Sequence, residues 1–383
     1  MRRRTFLVSS CRASIGLSLL SIVGHAQDRD LNLQRAAAGD WEFWIADLED
    51  QIHGLMGRIS VPGLSITVIR DAKLAWQGEF GFRNNESRVP VDSDTVFEAQ
   101  SMSKPVFAYV VMKLCEKGTL DLDEPLINYT PIDGLETPLT DHNPEALLKD
   151  DPRLARITAR HILSHTAGFQ NWRTEEEPLR IHFEPGEQFL YSGEGYSYLQ
   201  SIVTFLAGQS IEPYMQENLF HPFEMTSSGY IWNDLFESRA ALPHDSDGRP
   251  LDKFKPTEET VARHAAAGNL HTTATDYAKF LIEIIDPKPS DDFHLSRDSL
   301  AEMVRPHVAI PDDTYPSSWA LGWEIQHAET GDLISHYGDN RGFHSFAVAS
   351  LERGTGVVMM TNGENGAGVI DSLLLGDPVQ RLV

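Results

Sequence analysis

The sequence predicts a mixed α/β fold: an antiparallel sheet built from both chain ends, flanked by helices, with a mainly helical domain inserted between them. Three observations predict it. Strand-like alternation occupies the two ends of the chain, within residues 64–82 and 333–361. Helical periodicity and Pro/Asp-rich loops fill the middle. Composition is ordinary for a globular protein, with 41% hydrophobic and 23% charged residues among 383, enough material for about two domains of ~150 residues.

Residues 1–26 read as an export signal. Arg2, Arg3 and Arg4 form a charged start, and residues 13–23 form a short, mostly apolar run. That run is below the ~20 residues a spanning helix needs. Gly24-His25-Ala26 offers a cleavage site. Arg3-Arg4-Thr5-Phe6-Leu7 resembles the twin-arginine signal, with a general secretory signal as the alternative. The expected destination is the periplasm or the exterior. Residues 27–40 read as a linker. Removal of the signal would leave Cys115 alone, so no intramolecular disulfide is expected.

Asp40 can cap a helix with apolar residues at Trp41, Ile45, Leu48, Ile52 and Leu55. Leu64–Ile69 and Leu74–Phe82, joined by Asp71-Ala72-Lys73, read as a β-hairpin. Val106–Lys117 reads as a strongly apolar helix stopped by Gly118. Residues 159–163, 196–207 and 275–285 also read as helical, whereas 131–152, 174–187 and 243–259 read as loops. Leu333–Tyr337, Ser345–Leu351 and Gly356–Thr361 read as three strands. These elements divide residues 41–383 into a sheet subdomain, about 41–100 plus 310–383, and a helical subdomain, about 101–309.

The 56 acidic against 32 basic residues give a net charge of −24, which disfavours nucleic acid, because phosphate binding depends on a basic surface. No Walker loop, dinucleotide fingerprint or Gly-x-Ser-x-Gly elbow occurs. The informative stretch is Phe97-Glu98-Ala99-Gln100-Ser101-Met102-Ser103-Lys104-Pro105. Pro105 lacks an N–H and fits the first turn of a helix, so the helix must begin close to residues 101–103. Ser101 and Lys104 then share a face. A serine hydroxyl becomes a nucleophile when a base takes its proton, and a lysine serves as that base once burial lowers its pKa from ~10.4. By itself the spacing also fits a capping serine followed by a solvated lysine, and Ser103 is a rival nucleophile by proximity. His161 and His165, four apart, have metal-ligand spacing on a helix, but no acidic third ligand is evident. The pairs Trp41/Trp44 and Trp319/Trp323 have the helical spacing of core aromatics.

Ser101–Lys104 with the apolar helix after it resembles the Ser-x-x-Lys motif of serine β-lactamases and penicillin-binding proteins. His161–Phe169 is similar to a stretch of the class C β-lactamase and esterase branch. Pro185–Gly193, with Tyr191-Ser192-Gly193, resembles the second motif, Tyr-x-Asn. Ala265–Leu270 resembles the next segment, and His336-Tyr337-Gly338 stands where Lys-Thr-Gly belongs. The motifs are in order between about residues 41 and 361.

The resemblance, to the serine β-lactamase-like superfamily with its D,D-peptidases and family VIII-type esterases, implies roles. Ser101 would be acylated, and Lys104 and Tyr191 would share the base and proton-relay work, in a division the sequence leaves open. Backbone N–H groups of Ser101 and Asp339, beside Gly338, would form the oxyanion hole. His336 would meet the substrate. Gly193 replaces the asparagine that binds a substrate amide, and His336 replaces the lysine that binds a substrate carboxylate. The expectation is therefore an exported serine hydrolase that cleaves a small-molecule ester, amide or peptide and needs no metal or organic cofactor. A β-lactamase or D,D-carboxypeptidase, and a non-hydrolytic penicillin-binding or sensor module, are the alternatives.

Overall fold

The computed structural model describes residues 41–130, 148–311, 316–328 and 331–383. The expected signal and linker, and most of the 131–152 loop, lie outside the described residues. Helix α1 spans Trp41–Ile59. Its first part, through Leu48, belongs to a separate unit from the one formed by Glu49–Val383. Within that first part Trp41 and Trp44 stack with ring centroids 4.7 Å apart.

Nine strands form one antiparallel sheet in the order β3-β2-β1-β11-β10-β9-β8-β7-β6. They are β1 (Gly63–Arg70), β2 (Lys73–Asn84), β3 (Val89–Pro90), β6 (Val308–Ala309), β7 (Ser317–Trp319), β8 (Glu324–Ala328), β9 (Gly331–Asn340), β10 (Phe343–Ser350) and β11 (Thr355–Thr361). The expected hairpin is β1–β2. Asp71 and Ala72 at its tip both take φ of +52°, the left-handed pair whose twist matches the strands it joins. Strands from the two ends of the chain meet inside the sheet, with Leu64 opposite Thr361 and Ile69 opposite Gly356.

Two expectations change here. β4 (Phe97–Gln100) lies outside the large sheet and pairs with β5 (Leu270–Thr272) from the middle of the chain. Three short strands, β6 to β8, precede the expected C-terminal set. Trp319 therefore sits on a strand, not on a helix face, with Trp323 after the following turn.

The helices are α2 (Ser103–Glu116), α3 (Ala159–Leu163), α4 (Gly193–Ala207), α5 (Ile211–Met215), α6 (Asp234–Arg239), α7 (Glu258–Gly268), α8 (Ala274–Ile285), α9 (Arg297–Met303), α10 (Gly366–Leu374) and α11 (Asp377–Leu382). Helix α2 is buried from Ser103 to Leu114, as an all-round apolar helix must be. Strands β10 and β11 are buried at every position. Ala347, Ala349, Val358 and Met360 join the cluster that includes Leu281 of α8. Val348 and Val357, of the opposite parity, face the other side, and both sides are covered. Among the described residues, no helix is long and apolar enough to cross a membrane.

Candidate active site

The turn from β4 into α2 sets the site. Gln100 takes a φ of +50°, an uncommon conformation for a side chain larger than glycine. Three bonds hold it. Its amide donates to the Glu98 carboxyl, its carbonyl accepts from the Ser103 hydroxyl at 2.6 Å, and the same hydroxyl accepts from the Leu270 N–H at 3.0 Å. Ser103, the rival nucleophile, is thus fully buried and committed to fixing the backbone. Ser101, two residues earlier in the turn that leads into α2, is left partly exposed.

Lys104 is completely buried. Its Nζ donates to Ser101 Oγ at 3.1 Å and to the Ala267 carbonyl, at the end of α7, at 2.7 Å. Burial lowers its pKa to about 7, because desolvation disfavours the ammonium. Near neutrality it exchanges its proton readily. The solvated-lysine alternative is excluded by this burial.

Tyr191 lies across the same group, with Lys104 Nζ 4.7 Å from its ring centroid and its phenol hydrogen-bonded to Ser101. Enclosure pushes its phenol above the ordinary value and outweighs the opposing hydrogen bond. Tyr196, by contrast, is a fully buried core tyrosine that donates to the Leu163 carbonyl at 3.2 Å, and Tyr198 is buried as well.

Strand β9 supplies the third side. A Cβ on Gly338 would stand 2.1 Å from the Ala99 carbonyl oxygen, so glycine is what lets β9 lie against β4. That close approach brings the backbone at Gly338 and Asp339 to the Ser101 turn. His336, two residues back on the same face of the strand, is buried beside Tyr191 and Trp319. Its Nδ1 is 2.8 Å from the Tyr337 carbonyl and must donate to it, so Nε2 presents a lone pair, and it has no partner. Burial and the Lys104 charge lower its pKa to about 3. The position carries no positive charge.

His161 and His165 do not share a helix face. Helix α3 ends at Leu163, and His165 beyond it takes a φ of +57°. His161 caps that helix from inside, its Nδ1 accepting from the Thr158 N–H at 3.2 Å. His165 Nδ1 accepts from the Ser192 N–H at 3.1 Å, and its ring packs on Tyr191, Tyr196 and Trp319. Burial and nearby Lys104 keep it neutral. It is a scaffold for Tyr191. Among the described residues, no cluster of three or more His, Cys, Asp or Glu could hold a metal.

Sequence reasoning missed two groups. Glu98 is buried two residues before Gln100, and burial raises its pKa to about 8 despite the Gln100 hydrogen bond. Trp172 lies over Gly193, where a Cβ would come within 2.4 Å of the indole. The signal for Glu98 was its place on a strand leading into the motif. Trp172 had no local signal.

The family profile described as Beta-lactamase matches residues 48–375. Protein flp of Staphylococcus aureus (strain MRSA252) is 21% identical over 322 residues, 79% of this chain and 60% of that protein. The chain thus spans 60% of that relative's length. Penicillin-binding protein 4 of Amycolatopsis lactamdurans is 25% identical over 340 residues, covering 83% of this chain and 85% of that one. The octameric penicillin-binding protein homologue from Pyrococcus abyssi superposes with a TM-score of 0.71 at 24% identity, over 88% of this chain and 79% of that chain. D-alanine carboxypeptidase AmpC from Burkholderia cenocepacia gives 0.68 at 19%, over 86% and 99%. At those identities the structural likeness shows the fold alone.

Proposed function

Because the chain belongs to the beta-lactamase family, a family of serine hydrolases, we propose that it is an exported hydrolase that cleaves an ester or amide through an acyl-enzyme on Ser101. The observation that carries this reading is the buried Lys104 amine held 3.1 Å from Ser101 Oγ, with Tyr191 bonded to the same hydroxyl. The export component rests on the Arg2–Ala26 pattern.

With its pKa near 7, Lys104 accepts the Ser101 proton as Oγ attacks the carbonyl carbon. The oxygen charge that develops is held by the N–H groups of Ser101 and Asp339, a kind of donor whose loss typically costs ~10²–10³ in rate. Tyr191, kept protonated by enclosure, relays a proton to the leaving group and is reprotonated from Lys104. Water then attacks the acyl carbon by the reverse sequence, returns its proton to Ser101 through the same pair and releases the acid.

Two features favour a general ester or amide over a β-lactam. His336 is neutral and offers a lone pair where penicillin-recognising members offer an ammonium. Gly193 lacks a side-chain amide, and Trp172 occupies the space where a side chain would stand. The test is hydrolysis of p-nitrophenyl acetate and butyrate, run beside Ser101→Ala, with a chromogenic cephalosporin as comparison. Ester turnover lost in Ser101→Ala, with little cephalosporin turnover, is the expected result. Equal ester rates in both proteins would remove Ser101 from the mechanism. Stable acylation without turnover would favour a sensor module.

A further inference from the structure

The backbone on either side of Trp172 is tied to the start of α4. The Asn171 side-chain oxygen accepts from the Gly193 N–H at 2.8 Å, and its carbonyl accepts from the Glu194 N–H at 3.0 Å. Arg173 donates its N–H and its Nε to Glu194 Oε1, both at 2.9 Å, and its guanidinium forms an ion pair with this buried carboxylate. Just before them, the Ser192 hydroxyl donates to the Gln170 carbonyl at 2.9 Å. These bonds fix residues 170–173 against the segment that carries Tyr191, and they lay the indole on the bare backbone of Gly193.

One edge of that indole is met by the His264 ring, with centroids 5.4 Å apart and planes nearly perpendicular. Even so, Trp172 stays 42% exposed. A large aromatic surface held in one place and still open to solvent is a pre-formed platform for a flat apolar group.

We propose that Trp172 is a specificity-determining residue, whose indole holds an aromatic or bulky apolar group of the substrate beside Ser101. The proposal rests on the reading that Ser101 is the nucleophile. It replaces hydrogen bonding to a substrate amide at this position with stacking. An asparagine at 193 would drive the indole off its seat, so Gly193 and Trp172 act as one unit.

The experiment compares kcat/KM for ethyl acetate, ethyl phenylacetate and benzyl acetate by proton release. The aryl group is absent in the first, on the acyl side in the second and on the leaving side in the third. Trp172→Ala and Trp172→Phe are measured beside the wild type, as is binding of phenylboronic and methylboronic acids, which needs no turnover. At least one aryl ester should exceed ethyl acetate in the wild type. That advantage, and the phenyl-over-methyl preference of the boronic acids, should fall by about fivefold or more in Trp172→Ala. The change should appear in KM, with Trp172→Phe retaining most of the preference. Wild type without aryl preference in either series, or Trp172→Ala with both preferences unchanged, overturns the proposal. Ester hydrolysis surviving in Ser101→Ala would instead overturn the nucleophile reading, so the two failures are separable.

Discussion

In the proposed mechanism Lys104 is the base, and its burial has a sign that can be measured. A lysine lowered to about 7 is neutral above that pH and protonated below it. The base form therefore disappears as pH falls, and kcat/KM should drop about tenfold per unit below pH 7 and level off above it. A profile of ester hydrolysis from pH 5 to 9 checks this, and a flat profile would contradict it. Lys104→Ala should abolish acylation and leave the circular dichroism spectrum unchanged. Tyr191→Phe keeps the ring over Lys104 and removes only the relay, so a loss of about 10²–10⁴ in kcat is expected. Ser103 was indistinguishable from Ser101 by residue type. Its two backbone bonds settle its role, because a hydroxyl already holding Gln100 and Leu270 has no freedom to attack.

At the scale of elements, the tight approach of β9 to β4 is the feature most sensitive to change. Gly338→Ala would place a carbon inside the Ala99 carbonyl and push the strands apart. A destabilisation of about 1–3 kcal/mol, together with loss of activity, is expected from thermal unfolding and ester assays. The hairpin β1–β2, the start of α2 and the three long C-terminal strands were legible in the sequence, because alternation, Pro105 and glycine-bearing turns are local signals. Strands β6 to β8 were not, since runs of two to five residues carry no period. Ser101, Lys104 and Tyr191 were legible through motif order. Glu98 and Trp172 were not, because their surroundings come from distant chain. Trp172 meets Gly193 only through the Asn171 and Arg173 clamp, which no spacing rule reveals. His165 was visible, but its role was not, because the helix expected to carry it beside His161 ends at Leu163.

For the whole molecule, buried ionisable groups at the site set how stability follows pH. Glu98 is held near 8 in the folded chain against 4.5 when free. The folded protein thus retains a proton that the unfolded chain releases between those values. Stability from this group is complete below about 4.5 and is lost as pH rises through about 8. Glu98→Gln, which keeps an acceptor for Gln100, should raise the melting temperature more at pH 8 than at pH 5, by at most a few kcal/mol in free energy. An equal shift at both pH values would contradict it. Lys104 works the other way, since its folded value lies below its free one, and its penalty is relieved as pH rises above 7.

The seam between β1 and β11 has a consequence in time as well as in space. Leu64 must wait for Thr361, so this pairing cannot form until some three hundred further residues have been synthesised. Loop closure over that separation precedes any reward from the contacts it makes, which slows the formation of this pair. Until then the hairpin presents a bare apolar edge, a template for pairing with other chains. A newly made molecule is therefore most vulnerable to aggregation in the interval before β11 arrives.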